Sequence, residues 1–481
     1  MAGMRGLAAI WFLAVLAGTG CQASPGEETP VVRLSGDLVR DRMAGGWVGQ
    51  MVGVVAAGFT EFGYLGRIIP EGEVPEWDPM AFFTAWMQDD LYVEIPFLDA
   101  MDRHGVRASW KDLGDSFAAT GFMLWHGNEA ARNNLRNGIP APDSGHYRNN
   151  EHCDDIDWQI EADFLGLMSP GLPATAAELA WRHGHLVGFG DGVMGGIFVA
   201  AMHAAAFTAG TLDEVIQAGL DAVPPETDFR RLLQDVVDGH RAHPDDWTAT
   251  WDELERKWGD RDRCPVGKDK PYNIDAKMNA GYVLMGLLYG KGDFWKSIVI
   301  AMRGGQDSDC NASTVGGILG TFLGLSGIPP EYVSEMDWDK TFDYTDWSVR
   351  RSLDATERLA REAVALAGGR IESGPEGETW VLPVQAPAPI PAEQWPREPN
   401  ADPVLTDPEI VQSKGLTARL RVDATDDDGI SGIFWSFGDL SSAAGTEVTH
   451  TWPAPGSYEV LVWAVDRTGN SSWRSRTVTV P

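Results

Sequence analysis

Gly304–Gly320 reads GGQDSDCNASTVGGILG: two glycines, two aspartates one residue apart, then a run of small and apolar residues. Gly304 and Gly305 permit a tight turn, and a new helix is expected from near Asn311 to Leu325. Asp307 and Asp309 thus stand beside an apolar stretch, where an unpaired carboxylate is costly to bury. A matching pattern lies upstream in AWMQDDLYVEIPFL, where Gln88, Asp89 and Asp90 are again set among apolar side chains. Taken singly, such aspartates are ordinary helix caps facing solvent. Taken together they suit hard divalent cations, which prefer oxygen ligands. Four aspartates and one glutamate would carry five negative charges against the four positive charges of two such ions.

Around these motifs the chain reads as helical. In Ser35–Phe59 the residues Val39, Met43, Trp47, Met51 and Val55 recur every four positions, and Ser35 or Asp37 can cap the start. Further helices are expected over Ala81–His104, Ala174–Ala209, Asp275–Leu288 and Phe294–Met302. Many are rich in Ala and Gly, which lets helix axes approach closely at some cost in propensity. The pattern changes after Gly369. Residues 370–403 include WVLPVQAPAPIPAEQWPREPNADP, whose prolines favour an extended linker. Beyond it the period falls to two, with LTARLRVDAT, GIFWSFGD, EVTHTW, YEVLVWAVD and TVTV as short strands of a small β-sandwich over 404–481.

The full chain has 481 residues with 43% hydrophobic side chains and 20 Trp, enough to build more than one core and too much for a disordered chain. Its formal net charge of −32 repels phosphate backbones and argues against nucleic acid as a partner. Residues 1–21, MAGMRGLAAIWFLAVLAGTGC, place Arg5 before an apolar run from Leu7 to Leu16 and small residues ending at Cys21. That is the pattern of a signal peptide, and its end resembles a bacterial lipoprotein cleavage site. The expectation is an exported protein, lipid-anchored at Cys21 (periplasmic or cell-surface) or else secreted, with residues 22–34 as a tether. Membrane contact is expected only through that anchor. Cys153, Cys264 and Cys310 remain, allowing at most one disulfide; Cys153 with Cys264 is the pair to test. The run Asp426-Asp427-Asp428-Gly429 fails as an EF-hand loop, because the first and twelfth positions fall on Ala424 and Trp435.

The helical block over 35–369 resembles the ADP-ribosylglycohydrolase family, the dinitrogenase reductase-activating glycohydrolase group. Five segments carry the likeness in order: Asp41–Phe62, Gln88–Glu94, Ile156–Pro173 (IDWQIEADFLGLMSPGLP), Gly190–Phe207 (GDGVMGGIFVAAMHAAAF) and Gly304–Gly320. WSFGD, THTW and GSYEVLVWAVDRTGN resemble the PKD family, an immunoglobulin-like module of exported bacterial enzymes that spaces, docks or contacts surfaces and polysaccharides. The implied architecture is multidomain: a large all-α domain followed by a small immunoglobulin-like β-sandwich.

The resemblance implies a hydrolase with two Mg²⁺ ions, Mn²⁺ being possible. Their ligands would be Gln88, Asp89, Asp90, Asp307, Asp309 and Cys310. Glu61, in TEF, would be the acid/base residue, with Asp157 second. Gly190, Asp191, Gly192, Gly195 and Gly196 would line the sugar pocket. Gln88 stands where the family commonly has Thr, and its amide oxygen is an acceptable hard ligand. Cys310 also replaces Thr or Ser in some members, and a thiol is a poor Mg²⁺ ligand. Export conflicts with intracellular ADP-ribosylated protein as the substrate. The expected reaction is therefore hydrolysis of an N- or O-furanosyl bond in an extracellular small molecule or glycan. ADP-ribosyl conjugates are the alternative, and a non-catalytic carbohydrate- or metal-binding lipoprotein the second. Asp154, Asp155, His146, His152, His183 and His185 are further polar candidates, and Trp125 or Trp158 could stack on a sugar or base.

Overall fold

The computed structural model describes residues 30–388, 390–398 and 400–481. Residues 1–21, read from the sequence as a signal peptide ending at Cys21, lie outside the described residues. Helices follow in the order α1 (Gly36–Ala57), α2 (Asp89–Tyr92), α3 (Ile95–His104), α4 (Trp110–Ala119), α5 (His126–Arg136), α6 (Asp157–Glu161), α7 (Asp163–Leu167) and α8 (Pro173–Gly184). They continue as α9 (Asp191–Ala206), α10 (Leu212–Ala222), α11 (Asp228–Ala242), α12 (Trp247–Trp258), α13 (Ala276–Gly290), α14 (Phe294–Arg303), α15 (Ser308–Leu323) and α16 (Val349–Leu366). The strands are β1 (Val31–Ser35), β2 (Arg370–Gly374), β3 (Gly377–Pro383), β4 (Val404–Leu405), β5 (Glu409–Lys414) and β6 (Thr417–Arg421). After them come β7 (Ala424–Thr425), β8 (Ile430–Ser436), β9 (Ser442–Ala444), β10 (Glu447–Thr451), β11 (Gly456–Asp466) and β12 (Ser471–Val480).

Two helices set the core. Ser35 caps α1 by accepting the Leu38 amide, and from Met43 to Ala57 every residue of α1 is buried. Its partner is α15, and the seam between them is made of small residues. A Cβ on Gly45, Gly49 or Gly53 would stand 2.1 Å from the backbone oxygen of Gly320, Gly316 or Ala312 respectively. Three rungs spaced four residues apart on each helix therefore bring backbone against backbone, an approach closed to any larger side chain. This contact fixes where α15 begins relative to the end of α1.

Two expected helices are broken. Over 81–104 the chain forms a 3₁₀ segment, Pro79–Met87, then α2 and α3, with Pro96 in the first turn of α3. Proline starts a helix well but cannot continue one, so the apolar run divides there. Over 174–209 the break falls at Gly188–Gly190, Gly190 taking φ +58° before α9. The amphipathic helices α4, α5, α10, α11, α12 and α16 were not read from the sequence.

Residues 31–34 and 370–383, read from sequence as parts of a tether and a linker, pair together with Ser35 as a three-stranded antiparallel sheet ordered β1-β3-β2. The C-terminal module is two facing sheets, β10-β6-β5 and β12-β11-β8-β9. Strand β11 is buried on both faces. Tyr458, Val460, Val462 and Ala464 join the sandwich core with Leu420, Trp435 and Trp452, whereas Trp463 and Val465 join the core of the helical domain. Trp463 lies among Trp110, Trp181, His185 and Trp473, with ring centroids 4.8–6.2 Å away.

A buried carboxylate ties this interface. Glu393 accepts hydrogen bonds from His185 Nε2 at 2.6 Å, Trp463 Nε1 and Ser471 Oγ. His185 also directs Nδ1 at the Trp181 carbonyl, 2.7 Å away. Both ring nitrogens thus face oxygen acceptors. Burial by itself raises the Glu393 carboxyl; His185, Ser471 and Trp463 more than offset this and hold it below its ordinary range. Among the described residues no helix is long and apolar enough to cross a membrane.

Candidate functional site

The loop after α1 carries Glu61, and three contacts hold it against the start of α15. Phe62 N donates to the Gln306 carbonyl at 2.9 Å, Gln306 N donates back to the Tyr64 carbonyl at 3.1 Å, and the Thr60 and Ser308 hydroxyls meet at 2.8 Å. Gln306 itself sits at φ +59° and uses its side chain to bind Asn273 N and the Pro271 carbonyl. Sequence reasoning missed this glutamine, whose signal was its place beside Gly304-Gly305.

Asp307 occupies the N-cap position of α15 without making a side-chain cap bond, and α2 begins after Gln88, likewise uncapped. Asp307 is therefore not serving as a cap, whereas Asp89 and Asp309 each meet amides of their own first turn. The two acidic motifs converge. Asp307, Asp309 and Cys310 place ligand atoms within 4.8 Å of one another. Asp90 is buried, feels Asp309, Asp89 and Glu61, and has the Cys310 thiol facing it. Both Asp90 oxygens and one oxygen each of Asp307 and Asp309 are buried without a hydrogen-bond partner. Gln88 lies at the edge, its amide 3.7 Å from where a Cβ on Gly58 would be.

Five carboxylates thus act on one another with no lysine or arginine among the charges acting on them. Burial, and then mutual repulsion, pushes Asp90 and Asp307 well above the ordinary carboxylate range. Asp309 rises to about 6, chiefly through burial. Glu61, exposed along one edge, rises to about 8 through partial burial and the fields of Asp309 and Asp89. Desolvated carboxylates with orphaned oxygens and no protein counter-charge fit divalent cations held by oxygen ligands. These acidic groups could hold a metal.

Asp157 stands on an adjoining wall at the start of α6. Its carboxylate accepts Gly127 N at 3.2 Å and Asn128 N at 2.9 Å, two free amides of the first turn of α5. Burial pushes it up to about 7 against these bonds. Glu161, one turn on, is buried with both oxygens unpartnered and feels Asp157 and Asp89. It was missed as a site candidate, although it lies within WQIEAD. Trp125, 46% exposed, precedes Gly127 by two residues, whereas Trp158 is buried and bonds the Ala180 carbonyl.

The glycines expected to line a sugar pocket lie elsewhere. A Cβ on Gly192 would meet the Cys153 carbonyl at 2.3 Å, one on Gly196 the Trp158 ring at 2.2 Å, and one on Gly195 Gln159 at 2.9 Å. Gly190 abuts Gln394 and Trp395. Gly192, Gly195 and Gly196 serve close packing of α9, and Gly190, the residue before α9, lies against the linker. Asp191 pairs with buried Lys277 at 3.0 Å and, with Asp154, lines a cleft of about 1030 Å³ that includes no residue of the acidic cluster. His185 belongs to the interdomain clamp, His183 is buried with both nitrogens unpartnered, and His146 stacks on Tyr147 and Phe189. Cys153, Cys264 and Cys310 are free thiols, so the Cys153–Cys264 pair does not bridge. The Asp426 carboxylate accepts Asp428 N and Gly429 N, as in an ordinary Asx turn.

Among solved structures, the chain resembles one described as an ADP-ribosylglycohydrolase-related protein complex, at 16% identity over 67% of this chain and 99% of that chain, with a TM-score of 0.45. Its C-terminal part resembles the PKD1 domain of Vibrio anguillarum Epp at 23% identity, covering 17% of this chain and 96% of that one, TM-score 0.16. The PKD1 domain from Vibrio cholerae metalloprotease PrtV is similar at 26% identity, covering 17% and 98%, TM-score 0.16. No curated protein matches the chain. A PKD domain model matches residues 398–480, and the ADP-ribosylglycohydrolase model matches residues 35–368, well over half the chain. The chain is therefore a hydrolase that belongs to the ADP-ribosylglycohydrolase family and carries a PKD domain behind its helical domain.

Proposed function

We propose that this hydrolase is exported and cleaves the N- or O-glycosidic bond of a ribose-like furanosyl group at a pair of Mg²⁺ ions. The observation that carries the reading is the convergence of Glu61, Asp89, Asp90, Asp307 and Asp309 with orphaned oxygens and no protein cation. Gln88, Asp89, Asp90, Asp307 and Asp309 would hold the ions, and Cys310, a soft donor, leaves its place to water. Bound there, the ions would supply charge neutralisation and orientation of the sugar's vicinal hydroxyls.

The protein's own groups do the proton work. Glu61 is the most exposed carboxylate of the cluster, so it can exchange a proton with water and with the glycosidic atom. Asp157 is held in place by two amides and orients water toward the anomeric carbon as an oxocarbenium-like transition state forms. Export, with lipid at Cys21 or by secretion, is read from residues 1–21 and is supported by the PKD domain, a module typical of extracellular proteins. An extracellular furanoside then suits the site better than intracellular ADP-ribosylated protein.

The test is hydrolysis of aryl furanosides and of ADP-ribose conjugates with Mg²⁺, with EDTA, and after Mg²⁺ is restored. The expected result is turnover of furanosides that EDTA abolishes and Mg²⁺ restores. Turnover of ADP-ribose conjugates alone would correct the substrate, and EDTA-insensitive turnover would remove the metal from the proposal.

A further inference from the structure

A second cluster of ligating side chains lies outside the acidic site. His152 Nδ1 is 2.9 Å from Asp155 Oδ2 and 3.0 Å from Cys264 Sγ, and the three donor atoms lie within 4.8 Å of one another. Both contacts fall on the same ring nitrogen. A nucleophilic relay needs the thiol and the carboxylate on opposite nitrogens, so this is not a Cys-His-Asp triad. Nor does one N–H satisfy the group: Asp155 Oδ1 is buried with no partner on a side chain with no exposed surface.

The three donors are held by backbone. Asp155 N bonds the His152 carbonyl at 3.2 Å, and His152 N bonds Asn150 Oδ1 at 3.0 Å. Cys264 is fixed by its amide on Asp262 Oδ1 at 2.8 Å and by the Gly267 and Lys268 amides on its carbonyl. The His152–Asp155 turn is stitched to the segment before α13 by Ile156 N to the Ile274 carbonyl and by the Asp155–Asp275 bridge. Asp154, Asp157, Asp262 and Asp275 lie near enough to act on Asp155, and the buried Lys277 pairs with Asp275 and acts on Asp154 and Asp262, so four carboxylates face one cation and the surroundings are negative on balance. His152 is 15% exposed and provides a path from solvent.

We propose that His152, Asp155 and Cys264 form a second cation site, of the Zn²⁺ class, distinct from the Mg²⁺ carboxylates. An imidazole, a carboxylate and a thiolate are the donor set of zinc and poorly suited to magnesium. Thiolate and carboxylate together neutralise a divalent ion, whose binding releases the Cys264 proton. At zinc bond lengths of about 2.0–2.3 Å, tetrahedral donors stand roughly 3.3–3.6 Å apart. The ion would therefore spread the present contacts by about half an ångström, within the reach of small side-chain rotations, and a fourth position remains for water.

The test uses the full chain, stripped with chelator and titrated with Co²⁺ in excess Mg²⁺, so that the carboxylate site is filled. The expected result is a thiolate-to-cobalt charge-transfer band, and one equivalent of Zn²⁺ retained on dialysis. Both should be lost in Cys264→Ser and in His152→Gln and kept in Cys310→Ser. His152→Gln changes a partly exposed residue, and near-ultraviolet circular dichroism verifies that it is folded. No band in the unmodified chain, a band that survives in either folded variant, or a band lost only in Cys310→Ser would overturn the site.

Discussion

Gly49→Ala adds one methyl group at the middle rung between α1 and α15. Its Cβ would lie 2.1 Å from the Gly316 carbonyl oxygen and 2.7 Å from the carbonyl carbon. Ordinary contact is about 3.5 Å, so the helices must part by roughly an ångström. Two effects compete. Alanine gains up to about 1 kcal/mol over glycine in helix propensity. Overpacking a close contact costs about 1–3 kcal/mol, and here the obstacle is backbone, which cannot rotate away. The clash should win by about 1–2 kcal/mol, and the apparent melting temperature should fall by a few degrees. The displacement also moves Asp307 and Asp309 relative to Glu61, because α1 and α15 carry those motifs at facing ends. An ångström of misplacement can cost about 100-fold in rate, so activity should fall further than stability alone explains. Thermal melts with EDTA and with graded Mg²⁺ give both readouts, and Gly121→Ala, with nothing within 4 Å of its added Cβ, is the control. A Gly49→Ala protein as stable as its parent, with an unchanged Mg²⁺ midpoint, would refute the argument.

Removing divalent cations should lower the melting temperature, since a ligand at 100 times its Kd stabilises by about 2.7 kcal/mol. Asp309→Asn should lose most of that Mg²⁺ response together with activity; a full response would exclude Asp309 as a ligand. In the metal-free protein, Glu61 and Asp157 titrate at about 8 and about 7, from ordinary values of 4.5 and 3.8. The folded chain then binds more protons than the unfolded one, so stability should fall as pH rises from about 4 to about 8. Urea titrations across that range check the slope, and a rise would contradict it. Glu393→Ala leaves the buried donors of His185, Trp463 and Ser471 without their acceptor, a loss of about 1–3 kcal/mol for each one left unsatisfied. Calorimetry should then resolve two transitions where the unmodified protein gives one; a single unshifted transition would show the clamp to be dispensable.

The sequence carried the central pair of helices because both write a fourfold repeat, large apolar residues on one helix and glycine or alanine on both. The acidic motifs were legible because carboxylates among apolar residues demand a counter-charge. The breaks at Pro79–Pro96 and Gly188–Gly190 were hidden by continuous hydrophobicity, which does not record direction. The glycines of α9 invited a ligand where the fold used them against Trp158 and Cys153. The docking of the sandwich was written in Val460–Val465, an unbroken apolar run in a strand that alternates elsewhere. Such a run means cover on both faces. The second cover, supplied by Trp181 and Trp110, comes from helices far away in the chain and could not be found from the strand alone.

With Glu393 gripped from both sides and Trp463 sunk into the helical core, the β-sandwich has no swing. Anything that its outward sheet of β5, β6 and β10 contacted would be presented to the acidic cluster at one bearing and one height. The enzyme would then work like a tool with its handle welded on: substrates within that fixed stand-off are accessible, and those outside it are not.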